Sequence, residues 1–222
     1  TKFIKIYIFI GIKIIMTKNK NMALLGLSLA SFAVILELPM IFTILPSIKL
    51  DIYPTLTYLH WIMVVYILVI SISLVTIWRL SDLIGRRWVL YIGLVVFGLS
   101  SLFCALAQSA GALILFRGFE GLGAAMILPN TISLLKSMYQ EKDRAYPIKF
   151  WLNFNIIGFV IGSVVGGLLT KFLNWQSSFY LLAVLAAISL LICFFSIKKE
   201  SVDKKIRDNF DIFGGVIFSI FL

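Results

Sequence analysis

The sequence predicts an all-α membrane protein: a six-helix bundle of two inverted three-helix repeats, followed by the start of a seventh helix. Three observations lead there. Of 222 residues, 61% are hydrophobic and 14% charged, with a mean hydropathy of +1.03, against ~45–50% and ~25% in an average soluble domain. The apolar residues gather into six stretches, each near the ~20 residues that a helix needs to cross the hydrocarbon core. The basic residues avoid those stretches and fall in alternate connections. The same figures exclude a soluble globular domain, a disordered chain, a collagen-like chain and a disulfide scaffold. The stretches are too long, and lack the period-two alternation, for strands of a membrane barrel.

The elements follow in order. Residues 1–15 read TKFIKIYIFIGIKII, an apolar run interrupted by Lys2, Lys5 and Lys13. A signal peptide needs an unbroken apolar core and a small-residue cleavage site, and neither is present. The segment reads as interfacial or as sequence upstream of a start at Met16; the start at Met16 is the expectation. Residues 1–22 together form a cytoplasmic N-terminal segment. Spans are expected at 23–45, 61–78, 88–107, 111–135, 150–172 and 177–197, so the bundle occupies 23–197. The connections are short except 136–149 and 198–210. Residues 198–210 (KKESVDKKIRDNF) carry both signs of charge and read as a cytoplasmic linker. Residues 211–222 open a seventh apolar segment that stops short of a span. The expectation is a piece of a longer protein whose C-terminal half is this half's partner.

Charge fixes the orientation. With the N-terminus inside, seventeen of the 20 Lys and Arg lie on the inner side, only Lys49 and Lys171 lie outside, and Arg117 lies within a span. That asymmetry is the positive-inside bias and requires an even number of spans before residue 198. The net charge of +10 therefore reads as loop charge facing a membrane, and not as a nucleic-acid patch on a folded domain. Cys104 and Cys193 sit inside apolar stretches, and His60 has no partner His or Cys nearby, so no metal site or disulfide is expected.

A weak internal echo suggests the repeat. Leu45-Pro46 ends the first span, and Leu128-Pro129 lies at the corresponding place in the fourth. With three helices per unit the two units have opposite orientation, as in secondary transporters.

Three ionisable residues fall inside spans: Glu37, Arg117 and Glu120. Each costs at least ~2.5 kcal/mol at the bilayer centre, so each must face a cavity or a partner. Arg117 and Glu120 are three apart, hence on one helix face and able to pair. They read either as a structural ion pair or as a proton site, because burial and a nearby Arg push a carboxylate in opposite directions. Glu37 precedes Pro39 by two residues, where the helix is prone to kink. It reads either as a proton carrier or as a neutral acid bonded to a backbone carbonyl.

Glycine spacing is the next signal. Gly158, Gly162 and Gly166 recur every fourth residue, with Gly167 adjacent, giving a smooth helix face that another backbone can approach. Gly118, Gly121 and Gly123 repeat the theme in the fourth span. The connection after the second span, Trp78 to Arg87, places Asp82 among three arginines, and Asp82 can pair with Arg86 if the turn stays helical. Gly85 permits a tight turn there.

Taken together, these stretches resemble the major facilitator superfamily, over about residues 23–222. Asp82, Gly85, Arg86 and Arg87 resemble its signature between helices 2 and 3. Leu113, Arg117, Gly121, Gly123, Ala124 and Ala125 are similar to the helix 4 signature of proton-coupled members. Gly158, Gly162, Gly166 and Gly167 resemble the helix 5 motif of antiporters. Leu36-Glu37 with Leu45-Pro46 is similar to the acidic-residue motif of the fourteen-helix drug:proton antiporter branch. Leu59, Trp61, Tyr66, Asn174-Trp175, Phe179, and Asp211 with Gly214 also resemble that branch. The departures are Trp78 where the loop signature opens with Gly, Leu83 for an Arg, Glu120 for Gln, Ser163 for Pro, and Glu37 where Asp is commoner.

The resemblance implies a transporter, not an enzyme, driven by a proton gradient and needing no other cofactor. It implies export of a small, drug-like molecule by alternating access, from the plasma or inner membrane, with an N-terminal half that rocks against a C-terminal half. Glu37, Arg117 and Glu120 would couple protons. Asp82, Gly85, Arg86 and Arg87 would form a cytoplasmic gate, and the helix 5 glycines a sliding contact. The protein's partners would be protons, the transported small molecule and the lipid bilayer. An uptake carrier or uniporter of the same fold, and a non-transporting truncated remnant, are the alternatives.

Overall fold

A computed structural model describes the backbone of residues 2–197 and the side chains from residue 20 onward. The linker expected at 198–210 and the seventh helix expected from 211 lie outside the described residues, as do the side chains of the N-terminal segment.

Among the described residues the structure has six α-helices: α1 (Lys2–Ile52), α2 (Leu56–Ile84), α3 (Arg86–Ala105), α4 (Ala110–Met138), α5 (Ala145–Phe172) and α6 (Gln176–Ser196). All six contain a segment long and apolar enough to cross a membrane, the one in α1 running over Lys20–Ile52. Each helix stops for a local reason. Tyr53 takes φ 50° ahead of Pro54, which ends α1. Gly85, at φ 106°, is the single residue between α2 and α3, a conformation that favours glycine. The Ser109 hydroxyl accepts the Ala112 N–H at 3.3 Å and caps α4. The Asn174 side-chain oxygen accepts from the Ser177 N–H at 3.0 Å at the start of α6.

Two segments read as loops are largely helical. Residues 78–84 belong to α2, and in 136–149 only a short break around the 3₁₀ turn Glu141–Asp143 separates α4 from α5. Polar and charged side chains are no obstacle to a helix once the chain leaves the apolar layer, so hydropathy marks the span and not the helix end.

Packing is arranged in matched pairs. α1 lies against α5 and α6, α4 lies against α2 and α3, α3 meets α6, and α1 crosses α4 at the centre. Exchanging the first three helices for the last three leaves this pattern unchanged, as two inverted repeats require. Small residues mediate the closest approaches. A Cβ on Gly123 would fall 2.6 Å from the Phe97 backbone nitrogen, and one on Gly121 would fall 2.6 Å from the Tyr66 carbonyl oxygen. On the α1–α6 contact, the Ser189 hydroxyl donates to the Gly26 carbonyl at 2.8 Å. Lipid supplies no hydrophobic drive between apolar helices, so close packing and such interhelical hydrogen bonds hold the bundle.

The α5 glycines meet α1 in register. Gly158 faces the Phe32 ring, Gly162 faces the Leu36 carbonyl and the Pro39 ring, and Gly166 faces Met40 and Thr43. Steps of four along α5 match steps of four along α1 in the same direction, so the two helices run parallel. Gly167 does not join them: a Cβ there would meet nothing within 4 Å. A residue one position on is turned ~100° around a helix of 3.6 residues per turn, which takes it off the contact face.

Candidate functional site

The three ionisable residues within spans come together. Glu37 from α1 and Arg117 and Glu120 from α4 are 1%, 1% and 0% exposed. Nη1 of Arg117 pairs with the Glu37 carboxylate and lies 3.0 Å from Oε2 of Glu120. The second contact follows from the helix repeat, since residues three apart share a face. The first is tertiary and depends on the α1–α4 crossing.

Other helices supply the surroundings. From α2, the Tyr66 ring lies under the guanidinium at 4.4 Å, and its hydroxyl donates to the Val34 carbonyl on α1 at 3.3 Å. Nε of Arg117 donates to the Ile62 carbonyl at 3.3 Å. From α3, the Ser101 hydroxyl donates to Oε1 of Glu120, and the Cys104 thiol approaches Oε2 at 3.7 Å. The Ser101 hydroxyl also lies 2.8 Å from the Phe97 carbonyl; it carries one hydrogen, so it serves one acceptor at a time. The centre thus ties α1, α2, α3 and α4 together through a single cation. Ser101 and Cys104 carried no sequence signal beyond their i, i+3 spacing on an apolar helix.

At the basic end of the bundle, Nε of Arg86 lies 3.0 Å from Oδ1 of Asp82, across the Gly85 junction, with both side chains partly exposed. Arg87 is not brought into that pair. Its Nε donates to the Tyr91 hydroxyl at 2.8 Å, with the guanidinium over the ring, and the Tyr91 hydroxyl donates to the Cys193 carbonyl at 3.0 Å. Tyr91, held by Arg87, therefore braces α3 against α6. Trp78 is exposed.

Hollows lined by described residues open on the bundle. One, of about 560 Å³, lies between α1, α2 and α5 and is lined by Leu38, Phe42, Ile67, Phe159 and Val160, with Ser163 at its edge. Another, of about 460 Å³, lies at the end opposite the basic one. There Asp51 accepts from the Trp175 indole N–H at 2.8 Å and from the Gln176 amide at 3.2 Å, which fastens the end of α1 to the start of α6.

Six helices long and apolar enough to cross a membrane, in two related units, close around a buried cation and two buried acids, the architecture of a multi-pass membrane protein. Residues 27–217 match the Major Facilitator Superfamily, and the chain belongs to that family. It is 30% identical over 206 residues to the multidrug resistance protein Stp of Mycobacterium tuberculosis, covering 92% of this chain and 38% of that protein. It is 36% identical over 149 residues to the multidrug efflux pump LfrA of Mycolicibacterium smegmatis, covering 67% and 29%. It is 31% identical over 166 residues to the multidrug transporter MdtP of Bacillus subtilis, covering 73% and 30%. The chain therefore spans about a third of the length of the curated relatives it matches.

Proposed function

We propose that the chain is the N-terminal part of a proton-coupled exporter of drug-like molecules that works by alternating access. The observation that carries this reading is the placement of Glu37. It is a buried acid on a central helix, held by a cation from the helix that crosses it. A buried carboxylate whose counter-charge sits on a different helix changes its proton affinity whenever the two helices shift. That links proton binding to conformation, which a coupled carrier requires.

In this reading Glu37 takes up and releases the proton. Arg117 tunes it, with Glu120 as its partner. The face made by Gly158, Gly162 and Gly166 lets α5 and α1 slide as the half rocks, and the Asp82–Arg86 pair with Gly85 serves the cytoplasmic gate. The basic end of the bundle faces the cytoplasm by the positive-inside bias, with the N-terminus on that side, in the plasma or inner membrane. The apolar hollow between α1, α2 and α5 suits an apolar part of a transported molecule. The names of the relatives, multidrug resistance and efflux proteins, support drug-like substrates.

The test is Glu37→Gln in the intact carrier, assayed for drug efflux from vesicles under an imposed pH gradient. Loss of gradient-driven efflux with retained substrate binding is expected. Unchanged efflux would remove Glu37 from the carrier role.

A further inference from the structure

Both acids of the buried centre lean on the same nitrogen. Nη1 of Arg117 is the contact to Glu37 and also the contact to Glu120. With both carboxylates ionised, the centre holds two negative charges against one positive charge. The excess charge sits among side chains at most 1% exposed, where an uncompensated charge is removed by protonation. The neighbours cannot offset it. Among the described residues, the titratable groups facing the centre are Tyr66 from α2 and Cys104 from α3, both neutral donors, while α5 meets α1 at this level through Gly158 and Gly162. Lys149 and Lys171 stand at the two ends of α5.

We propose that this centre holds one resident proton, shared between Glu37 and Glu120, and that Glu120 is the residue that makes it do so. Without Glu120, Glu37 and Arg117 form a closed neutral pair with no need of a proton. With Glu120, Arg117 is claimed from both sides and one acid must be neutral. The proton bonds to a carboxylate oxygen, Arg117 stays cationic, and no co-reactant beyond a proton from water is required. Two acids coupled this closely titrate as a unit, so the proton belongs to the pair and not to either residue. The α3 donors suit this sharing. The Ser101 hydroxyl donates to an ionised Glu120, and can turn to the Phe97 carbonyl and accept when Glu120 is neutral. The inference rests on the reading of the centre as a proton site and adds a stoichiometry to it.

The test is infrared difference spectroscopy of the chain in lipid bilayers at neutral pH, following the carbonyl stretch of protonated carboxylic acids. One buried-acid band is expected in the wild type, and it is lost in Glu37→Gln and equally in Glu120→Gln. Glu120→Asp, which restores the charge, keeps the band. Survival of the band in Glu120→Gln, its loss in Glu120→Asp, two bands in the wild type, or none would each overturn the proposal. Circular dichroism of each variant checks that the helices persist, and Glu120→Gln against Glu120→Asp decides even if Glu37→Gln fails to fold. Efflux by the intact carrier reports separately. If Glu37→Gln loses the band but not the transport, the coupling role falls and the one-proton centre stands.

Discussion

Gly162 of α5 lies directly against the backbone carbonyl of Leu36, the residue before the buried acid Glu37. The glycine contact and the charged centre therefore sit at one level of the bundle, on adjacent sides of α1. Gly162→Val should push α5 away from α1 and destabilise the bundle by ~1–3 kcal/mol, the usual effect of overpacking. Gly167→Val, one residue off the contact face, should fall within ~0.5 kcal/mol of wild type. Thermal unfolding of both variants in detergent, followed by circular dichroism, checks the contrast.

Arg117 is the single cation between two buried acids, and its removal strands both. Arg117→Met should cost ~3–5 kcal/mol, because breaking a buried ion pair leaves an uncompensated charge. Arg117→Lys keeps the charge but loses the Nε donor to the Ile62 carbonyl and the flat stacking on Tyr66, and should fall between Met and wild type. The temperature at which each variant ceases to elute as a single species on size-exclusion chromatography ranks them.

The two arginines after Gly85 should behave differently. Asp82→Asn breaks a partly exposed pair, for which ~0.2–1 kcal/mol is typical. Tyr91→Phe removes the hydroxyl that joins Arg87 to the α6 carbonyl at Cys193 in a buried setting. It should cost more, ~1–3 kcal/mol, because the charged Arg87 donor loses its acceptor along with the bridge to α6, although the Cys193 carbonyl keeps the Ile197 N–H at 2.9 Å. Unfolding midpoints of the two variants, measured side by side, give the order.

At the opposite end, the Trp175 indole N–H holds Asp51. Trp175→Phe should lower stability through that hydrogen bond by about 1 kcal/mol beyond the packing change, at the low end for a charged acceptor because Asp51 is exposed. A double-mutant cycle with Asp51→Ala isolates the pairwise part.

Much of this architecture was legible in the sequence because the bilayer is a strict solvent. It dictates span length, forbids unpaired backbone and sorts Lys and Arg by side, so the six helices and their order follow from hydropathy and charge. The helix ends were not legible: residues 78–84 are polar enough to read as a loop, yet they complete α2. Within the centre, the Arg117–Glu120 contact follows from a spacing of three. The Glu37–Arg117 contact needs the crossing of α1 over α4, which no local pattern specifies, and only the family resemblance placed the two together. Ser101 and Cys104 were invisible because a small polar residue in a span usually bonds its own helix backbone, as the Ser100 hydroxyl does to the Val96 and Phe97 carbonyls. Gly167 and Arg87 were grouped with their neighbours by motif, but each points elsewhere: an adjacent residue on a helix faces a different direction.

The junction at Gly85 leaves no slack between α2 and α3. Any displacement of the α2 terminus arrives at α3 within one residue, and Arg87 and Tyr91 hand it on to the last turn of α6. A longer connection would absorb such a displacement as bending. This one works like a rocker arm, with Gly85 as its bearing, so lengthening the junction by a few flexible residues would remove the direct link from α2 to α3 and leave only the route through α4, against which both helices pack.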